Sequence, residues 1–273
     1  LDKNPNYEYE IITNVSEKNL ITKLPRFDAC TLRVSKLDEN ILKYCPNLKV
    51  ISRHGVGYDN VDLNYIKKNN IFLLITATAN AVAVAEHVLS MFLTLSKSII
   101  NYDKEVRADN FKKNADQIKT FELFEKNILI AGFGRIGKKL IKRCLAFDTK
   151  VFVYDPYVDT DVIKKHGGVK IDNIEDGLKI ADFVSLHMPL TPETKNLINY
   201  SVIKKMKTNA IIVNTARGGI INENDLEKAL NENLLFGAGL DVFSKEPIES
   251  NNPLLKNKKV ILSPHSATFT DEC

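Results

Sequence analysis

The sequence has no tryptophan, three methionines and four cysteines, and Cys30, Cys45, Cys144 and Cys273 are scattered with no C-x-x-C pair. That spacing offers no disulfide framework and no thiolate cluster, so reduced thiols and no bound metal are expected. Charge of one sign is missing too: 38 basic residues face 34 acidic ones. No Lys/Arg block exceeds short pairs such as Lys138-Lys139, so no nucleic-acid partner is expected. Long apolar runs are absent. The most membrane-like stretch, His87 to Ile100, is broken by Ser90, Thr94, Ser96 and Lys97 and is too short to span a bilayer. No signal-peptide pattern opens the chain, so a soluble cytoplasmic protein with no membrane partner is expected, and the sequons at Asn14 and Asn199 read as chance. The first residue is Leu1 rather than Met, and Cys273 falls within a polar segment, which suggests trimming at both ends.

What is present is ordinary globular material: 273 residues, 44% hydrophobic and 26% charged, enough for one large or two medium domains. Short β-rich runs alternate with helical patterns. In the first part Tyr7–Thr13, Ala29–Val34, Val50–Arg53 and Phe72–Ile75 read as strands, separated by helical segments near Val15–Leu24, Leu37–Tyr44 and Leu63–Lys68. A longer helix is predicted over Val84–Ile100, with Val84, Val88, Met91, Phe92 and Leu95 on one stripe. The polar stretch Asn101–Thr120 then reads as a linker or covering loop. A second series has strand candidates Ile128–Ala131, Val151–Tyr154, Phe183–Leu186, Ile211–Val213, Ala238–Leu240 and Val260–Leu262, with helices at Arg135–Phe147, Ser201–Met206 and Asn222–Asn231. Alternation at this spacing predicts two α/β units, each a parallel sheet covered by helices.

Gly132-Phe133-Gly134-Arg135-Ile136-Gly137 matches G-x-G-x-x-G. A strand runs into it, and an amphipathic helix leaves it with Ile136, Leu140, Ile141, Cys144 and Leu145 on one face. The next strand ends in Asp155, 23 residues beyond Gly132. In that setting Gly132 permits the tight turn, Gly134 lets the backbone approach a pyrophosphate, and Gly137 lets helix and strand pack closely. Free N–H groups at the helix start face the diphosphate. Asp155 accepts from the ribose hydroxyls and repels a 2′-phosphate, which favours NAD over NADP. The competing reading is a glycine turn without a ligand.

Polar residues also follow most later strands, where ligands of open α/β sheets sit. His187-Met188-Pro189 and Thr194 follow one strand, and Asn214-Thr215-Ala216-Arg217-Gly218-Gly219 the next. Asp241 with Glu246, then Ser263-Pro264-His265, follow the last two. Arginine holds a carboxylate through paired hydrogen bonds. Histidine passes a proton near neutral pH, and a neighbouring carboxylate orients its ring. Each has a plainer alternative: Arg217 as a turn cap, Glu246 as a solvated loop residue, His265 as a structural histidine. His166 reads as a helix terminus, and His87 as packing or hydrogen-bonding on its own helix.

Taken in order, Arg53-His54-Gly55-Val56-Gly57-Tyr58-Asp59-Asn60, Asn80-Ala81-Val82-Ala83-Val84-Ala85-Glu86, the Gly132–Gly137 fingerprint, His187-Met188-Pro189-Leu190, Asn214–Gly218, Gly239-Leu240-Asp241-Val242-Phe243 and Ser263-Pro264-His265 resemble the D-isomer-specific 2-hydroxyacid dehydrogenases. The resemblance implies two Rossmann-like or flavodoxin-like parallel-sheet domains separated by a cleft. A substrate domain would comprise residues 1–80 plus 266–273, and an NAD-binding domain residues 81–265. It implies Arg217, Glu246 and His265 as catalytic residues. The NAD site would be lined by Gly132, Gly134, Arg135, Ile136, Gly137, Asp155, His187, Pro189, Thr194, Thr215, Ala216 and Asp241, the last near the nicotinamide amide. Arg53, Val56 and Gly57 would contact the substrate, a small 2-hydroxy or 2-keto acid, and the helix from Val84 would contribute to a homodimer.

The family's first strand and helix and its long C-terminal helix have no counterpart in this sequence. Arg53, placed to meet a phosphate, tilts the substrate toward 3-phosphoglycerate, with hydroxypyruvate or glyoxylate as the alternative. The Ala77-Thr78-Ala79 loop lacks the tyrosine that D-lactate enzymes tend to carry there, and Glu246 stands where formate dehydrogenases use an amide. An NAD(H)-sensing corepressor on the same fold is the non-enzymatic rival.

Overall fold

Runs of β-branched and aliphatic residues bounded by polar turns become ten parallel strands in the computed structural model, which describes residues 7–33, 35–76, 78–111 and 118–273. Chain contacts divide it into two units, Leu1–Asn80 and Ala81–Cys273. Val34, at the end of an expected strand, Ala77, in the loop weighed against D-lactate enzymes, and 112–117, in the polar stretch, lie outside the described residues.

In the first unit β1 (Ala29–Leu32), β2 (Val50–Arg53) and β3 (Phe72–Ile75) form a parallel sheet in that order. The parallel sense requires crossovers, supplied by helices α2 (Glu39–Leu42) and α3 (Leu63–Lys68), with α1 (Glu17–Lys23) preceding the sheet. Asp62 caps α3 by accepting the Tyr65 N–H at 3.0 Å. The core gathers Leu20, Ile41, Leu42, Leu48, Ile51 and Ile66, with Ile51 of the central strand fully buried. Tyr7–Thr13 forms no strand, contrary to the alternation of its residues. Tyr7, Tyr9 and Ile11 are exposed, and Glu10 is tied to Lys23 and Arg26 beside α1 rather than facing a ladder partner.

The second unit is a seven-stranded parallel sheet. Its strands in chain order are β4 (Asn127–Ala131), β5 (Lys150–Tyr154), β6 (Val169–Ile171), β7 (Phe183–Leu186), β8 (Ile211–Asn214), β9 (Gly237–Leu240) and β10 (Val260–Leu262), arranged β10-β9-β8-β7-β4-β5-β6. Both faces are covered, so the strands alternate between two cores. Ile128, Ile130 and Val213 pack on one side with α4 (Ala81–Ser96), while Leu129, Ala131 and Ile212 pack on the other. The α4 stripe behaves as its spacing predicts: Val84, Val88, Met91, Phe92 and Leu95 are all buried. The helix stops short of Ile100, because Ser98 takes a left-handed conformation (φ 50°) and a separate α5 (Ile99–Arg107) follows. The remaining helices are α6 (Arg135–Leu145), α7 (Thr160–Lys165), α8 (Ile174–Ile180), α9 (Tyr200–Ile203) and α10 (Glu223–Asn231). The sequence pattern does not mark β6 or α8, which are 3 and 7 residues long, whereas α7 ends at its cap residue His166, the helix terminus read there. Residues 266–273, expected with the first unit, group with the second, where Ser266 and Ala267 donate their N–H groups to Asp241.

Candidate active site

The strand order reverses between β4 and β7, the position at which open α/β sheets open a crevice at their carboxyl ends. The fingerprint lies there. Gly132 (φ 103°) leaves β4, and a Cβ on it would stand 2.8 Å from the His187 carbonyl carbon and oxygen, so only glycine lets these two strand ends meet. A Cβ on Gly137 would reach 2.5 Å from the Gly132 oxygen, which explains the third glycine as a helix–strand contact. Gly134 differs: it precedes α6, and nothing lies within 4 Å of where its Cβ would be. Its bare backbone faces open space at a helix start, the geometry a diphosphate needs. Arg135 opens α6 and is exposed, and Ile136 beside it is half-buried. Asp155 directly follows β5 and accepts the Phe133 N–H at 2.7 Å and the Tyr157 N–H at 2.9 Å, which fixes its carboxylate against the glycine turn.

Two buried polar atoms test whether these residues suit a dinucleotide. The Thr215 hydroxyl and His187 Nδ1 are both shut off from solvent with no hydrogen-bond partner, at the ends of β8 and β7. Buried polar groups are normally paired, so unpaired atoms at a strand-end crevice point to a polar ligand. The residue set fits NAD. His187 Nε2 pairs with Ser185 Oγ at 2.8 Å, and burial pushes its pKa down to about 4, so the ring is neutral near pH 7. Thr194 Oγ1 donates to the Pro189 carbonyl and accepts the Thr191 N–H, both at 2.7 Å, and so shapes the loop beyond His187.

Glu246 and His265 are in contact, and the charge of Arg217 reaches Glu246. Asn214 organises the first loop: its Oδ1 accepts the Ala216 N–H at 3.0 Å and its Nδ2 donates to the Arg217 carbonyl at 2.8 Å. Arg217 Nη1 donates to the Ala216 carbonyl at 2.6 Å. A Cβ on Gly218 would lie 1.8 Å from the Phe243 oxygen, so this loop is in backbone contact with the one carrying Glu246. Glu246 Oε1 accepts the Phe243 N–H at 3.0 Å, and its Oε2 lies 2.8 Å from His265 Nδ1. Partial burial pushes the Glu246 carboxyl up. The His265 and Phe243 hydrogen bonds, with the charges of His265 and Arg217, outweigh that and hold it below the usual carboxylate range. An ionised Glu246 can only accept, so His265 Nδ1 carries a proton and Nε2 is the atom left for acid–base chemistry.

Asp241 is 1% exposed, and its oxygens accept from Ser263 Oγ at 2.5 Å, the Ser266 N–H at 2.8 Å and the Ala267 N–H at 3.0 Å. It clamps the segment that carries His265, whose own φ is 51°. His87 departs from its expected role: rather than bonding on its own helix, its Nε2 reaches Ser263 Oγ at 3.0 Å. Ser185 carried no signal as a site residue in the sequence, while Asn214 and Ser263 were marked only as polar residues at strand ends, without their partners. Their partners are distant along the chain or depend on loop conformation.

The first unit holds the remaining candidates. Arg53 ends β2, and its guanidinium folds back over Gly55 (φ 135°) to donate to the His54 carbonyl. Val56 and Gly57 follow, half-buried.

Comparison with known proteins places this chain. The NAD binding domain model of D-isomer specific 2-hydroxyacid dehydrogenases matches residues 89–267. The D-3-phosphoglycerate dehydrogenase of Methanocaldococcus jannaschii is 36% identical over 266 residues, 97% of this chain and 50% of that protein. The glyoxylate reductase of Thermococcus litoralis is 38% identical over 259 residues, 93% of this chain and 78% of that protein. Among solved structures, D-lactate dehydrogenase from Aquifex aeolicus, complexed with NAD and lactic acid, superposes with a TM-score of 0.84 at 31% identity, covering 96% of this chain and 81% of that one. The chain belongs to the D-isomer specific 2-hydroxyacid dehydrogenase family and carries its NAD-binding domain. It spans about half the length of the D-3-phosphoglycerate dehydrogenases it matches.

Proposed function

We propose that this chain is an NAD-dependent oxidoreductase that interconverts a small D-2-hydroxy acid and the corresponding 2-keto acid. The observation that carries the proposal is the 2.8 Å pair between His265 Nδ1 and Glu246 Oε2, on a strand-end rim shared with Arg217. NADH, when bound, supplies the hydride, two electrons and one hydrogen nucleus, to C2 of the keto acid. The chain does the rest. Gly134, Arg135, Ile136 and Asp155 hold the diphosphate and ribose, while His187, Pro189, Thr194, Thr215, Ala216 and Asp241 line the remainder. Arg217 pairs with the acid's carboxylate and polarises the carbonyl. His265 Nε2–H gives its proton to the keto oxygen as C2 is reduced, and in the reverse direction Nε2 takes it back. Glu246 keeps the ring oriented and balances the charge it gains.

Val56 and Gly57 would bind the acid through backbone N–H groups. For the substrate we favour 3-phosphoglycerate, on the position of Arg53 and the likeness to D-3-phosphoglycerate dehydrogenases. One observation supports a second reading, reduction of glyoxylate or hydroxypyruvate: Arg53 is engaged with its own loop at the His54 carbonyl. A homodimer in the cytoplasm completes the proposal, on family resemblance, and size-exclusion chromatography tests the dimer.

The decisive experiment is an NADH-oxidation screen over glyoxylate, hydroxypyruvate, pyruvate, 2-oxoglutarate and phosphohydroxypyruvate, with the reverse reaction on 3-phosphoglycerate. The variant His265→Ala is expected to lower turnover by about two to four orders of magnitude while NADH still binds. Turnover unchanged in that variant would remove His265 from the mechanism. NADH binding with no turnover on any acid would overturn the enzyme reading in favour of an NAD(H)-sensing protein.

A further inference from the structure

His87 lies on α4, 178 residues before His265 in the chain, and no step described so far uses it. Its side chain is 24% exposed, and its Nε2 sits 3.0 Å from Ser263 Oγ and 3.7 Å from Asp241 Oδ1. The direction of the hydrogen bonds follows from the partners. Asp241 has no proton to give when ionised, so at 2.5 Å Ser263 Oγ–H is the donor to it. The Ser263 oxygen therefore meets His87 as an acceptor, and His87 Nε2 carries the proton. A chain of donors results: His87 Nε2–H to Ser263 Oγ–H to Asp241 Oδ1. The same Asp241 carboxylate accepts the Ser266 and Ala267 N–H groups. Groups tied to Asp241 thus bracket His265: Ser263 two residues before it and the Ser266 N–H immediately after it.

We propose that His87 is a positioning residue for His265. It pins Ser263 to the buried Asp241, and Asp241 in turn holds the short 263–267 segment in which His265 takes its left-handed backbone conformation and meets Glu246. This rests on the reading of His265 as the proton-transfer residue. The physical ground is that a left-handed non-glycine residue is unfavourable by itself and persists only where its surroundings over-determine it. Here the over-determination comes from a helix outside the catalytic loops, which packs against the sheet under β8 and β9 through Met91, whose Sδ would stand 2.7 Å from a Cβ on Gly239.

The test compares His87→Ala, His87→Gln and Ser263→Ala in the full chain. The primary measurement is amide hydrogen exchange, which needs no substrate. In His87→Ala and Ser263→Ala, exchange at Ser266 and Ala267 is expected to quicken while β8 and β9 stay protected. On the best acid from the screen, kcat should fall about tenfold, the scale of one hydrogen bond, with KM for NADH unchanged. His87→Gln, which keeps an N–H donor on the side chain, should recover most of both. Unchanged exchange at Ser266 and Ala267 in His87→Ala would overturn the proposal. So would loosening of β8 and β9 with kcat and KM altered together, the signature of a merely structural residue. If His265→Ala itself leaves turnover intact, the reading of the site has failed; if only the His87 variants are silent, this inference alone has failed.

Discussion

His187 gives the protein an acid sensitivity that can be worked out from its surroundings. Its Nδ1 is closed off from solvent, and burial lowers the ring's pKa from 6.5 to about 4. In the unfolded chain the same ring titrates near its ordinary value of about 6.5. Above that pH both states hold the ring neutral, and the folded state keeps its full stability. Between pH 6.5 and 4 the unfolded chain binds a proton that the folded chain refuses, so stability falls as pH falls. Below pH 4 both states are protonated and the loss levels off. A shift from 6.5 to about 4, at about 1.4 kcal/mol per pH unit, sets the total loss at about 3.5 kcal/mol. Of that, about 2 kcal/mol has gone by pH 5. The chain has no tryptophan, so urea unfolding is best followed by far-UV circular dichroism. The comparison is wild type against His187→Gln at pH 7.5 and pH 5. Glutamine cannot titrate, so the wild type should lose about 2 kcal/mol more than the variant between the two pH values. Equal losses would show that the ring is solvated or already charged in the folded protein, and the reasoning from its burial would be wrong. The site is involved as well, because the His187 carbonyl abuts Gly132 of the cofactor loop.

Two further substitutions probe the rim. Asp155→Ser removes the carboxylate that accepts the Phe133 and Tyr157 N–H groups, and it should erode the kcat/KM preference for NAD over NADP by about tenfold or more; an unaltered ratio would count against the ribose assignment. Gly218→Ala places a methyl group 1.8 Å from the Phe243 carbonyl oxygen, a backbone atom that cannot swing aside. It should cost about 1–3 kcal/mol in urea unfolding and lower kcat with it, and a variant as stable and active as wild type would mean the two loops are not in contact.

The strand–helix alternation and the glycine fingerprint were legible because they are local. Val50–Arg53, Phe72–Ile75, Phe183–Leu186 and Val260–Leu262 emerge with the bounds their residues suggest, each a short run rich in β-branched or aliphatic residues. Tyr7–Thr13 carries the same alternation and is not a strand, since alternation describes a pleated surface and says nothing of whether a neighbour is there to pair with. The break at Ser98 was invisible for a related reason: a left-handed serine leaves the apolar stripe before it intact. In the site, Arg217, Glu246 and His265 could be picked out by chemistry at strand ends. His87 could not, because its partner Ser263 is brought near only by α4 lying against the sheet. Gly218 was visible as a glycine, but not as the contact that brings the loop of Arg217 against that of Glu246.

Strand order explains why so dispersed a set can act together. Adjacent strands lie about 4.8 Å apart, so loops leaving neighbouring strands at the same end are within side-chain reach of one another. The residues assigned to the dinucleotide leave mainly β4, β5 and β7, with Thr215 and Ala216 after β8 and Asp241 after β9. Arg217, Glu246 and His265 follow β8, β9 and β10, which are consecutive in the sheet. Under the proposed assignment, proton transfer would fall on one flank of the β4–β7 reversal and the grip on the ribose on the other. The arrangement demands that the last loop, after a strand of only three residues at the sheet edge, be held as firmly as the others. The carboxylate of Asp241, one strand inward and 1% exposed, supplies that hold by accepting from Ser263 Oγ and from the Ser266 and Ala267 N–H groups.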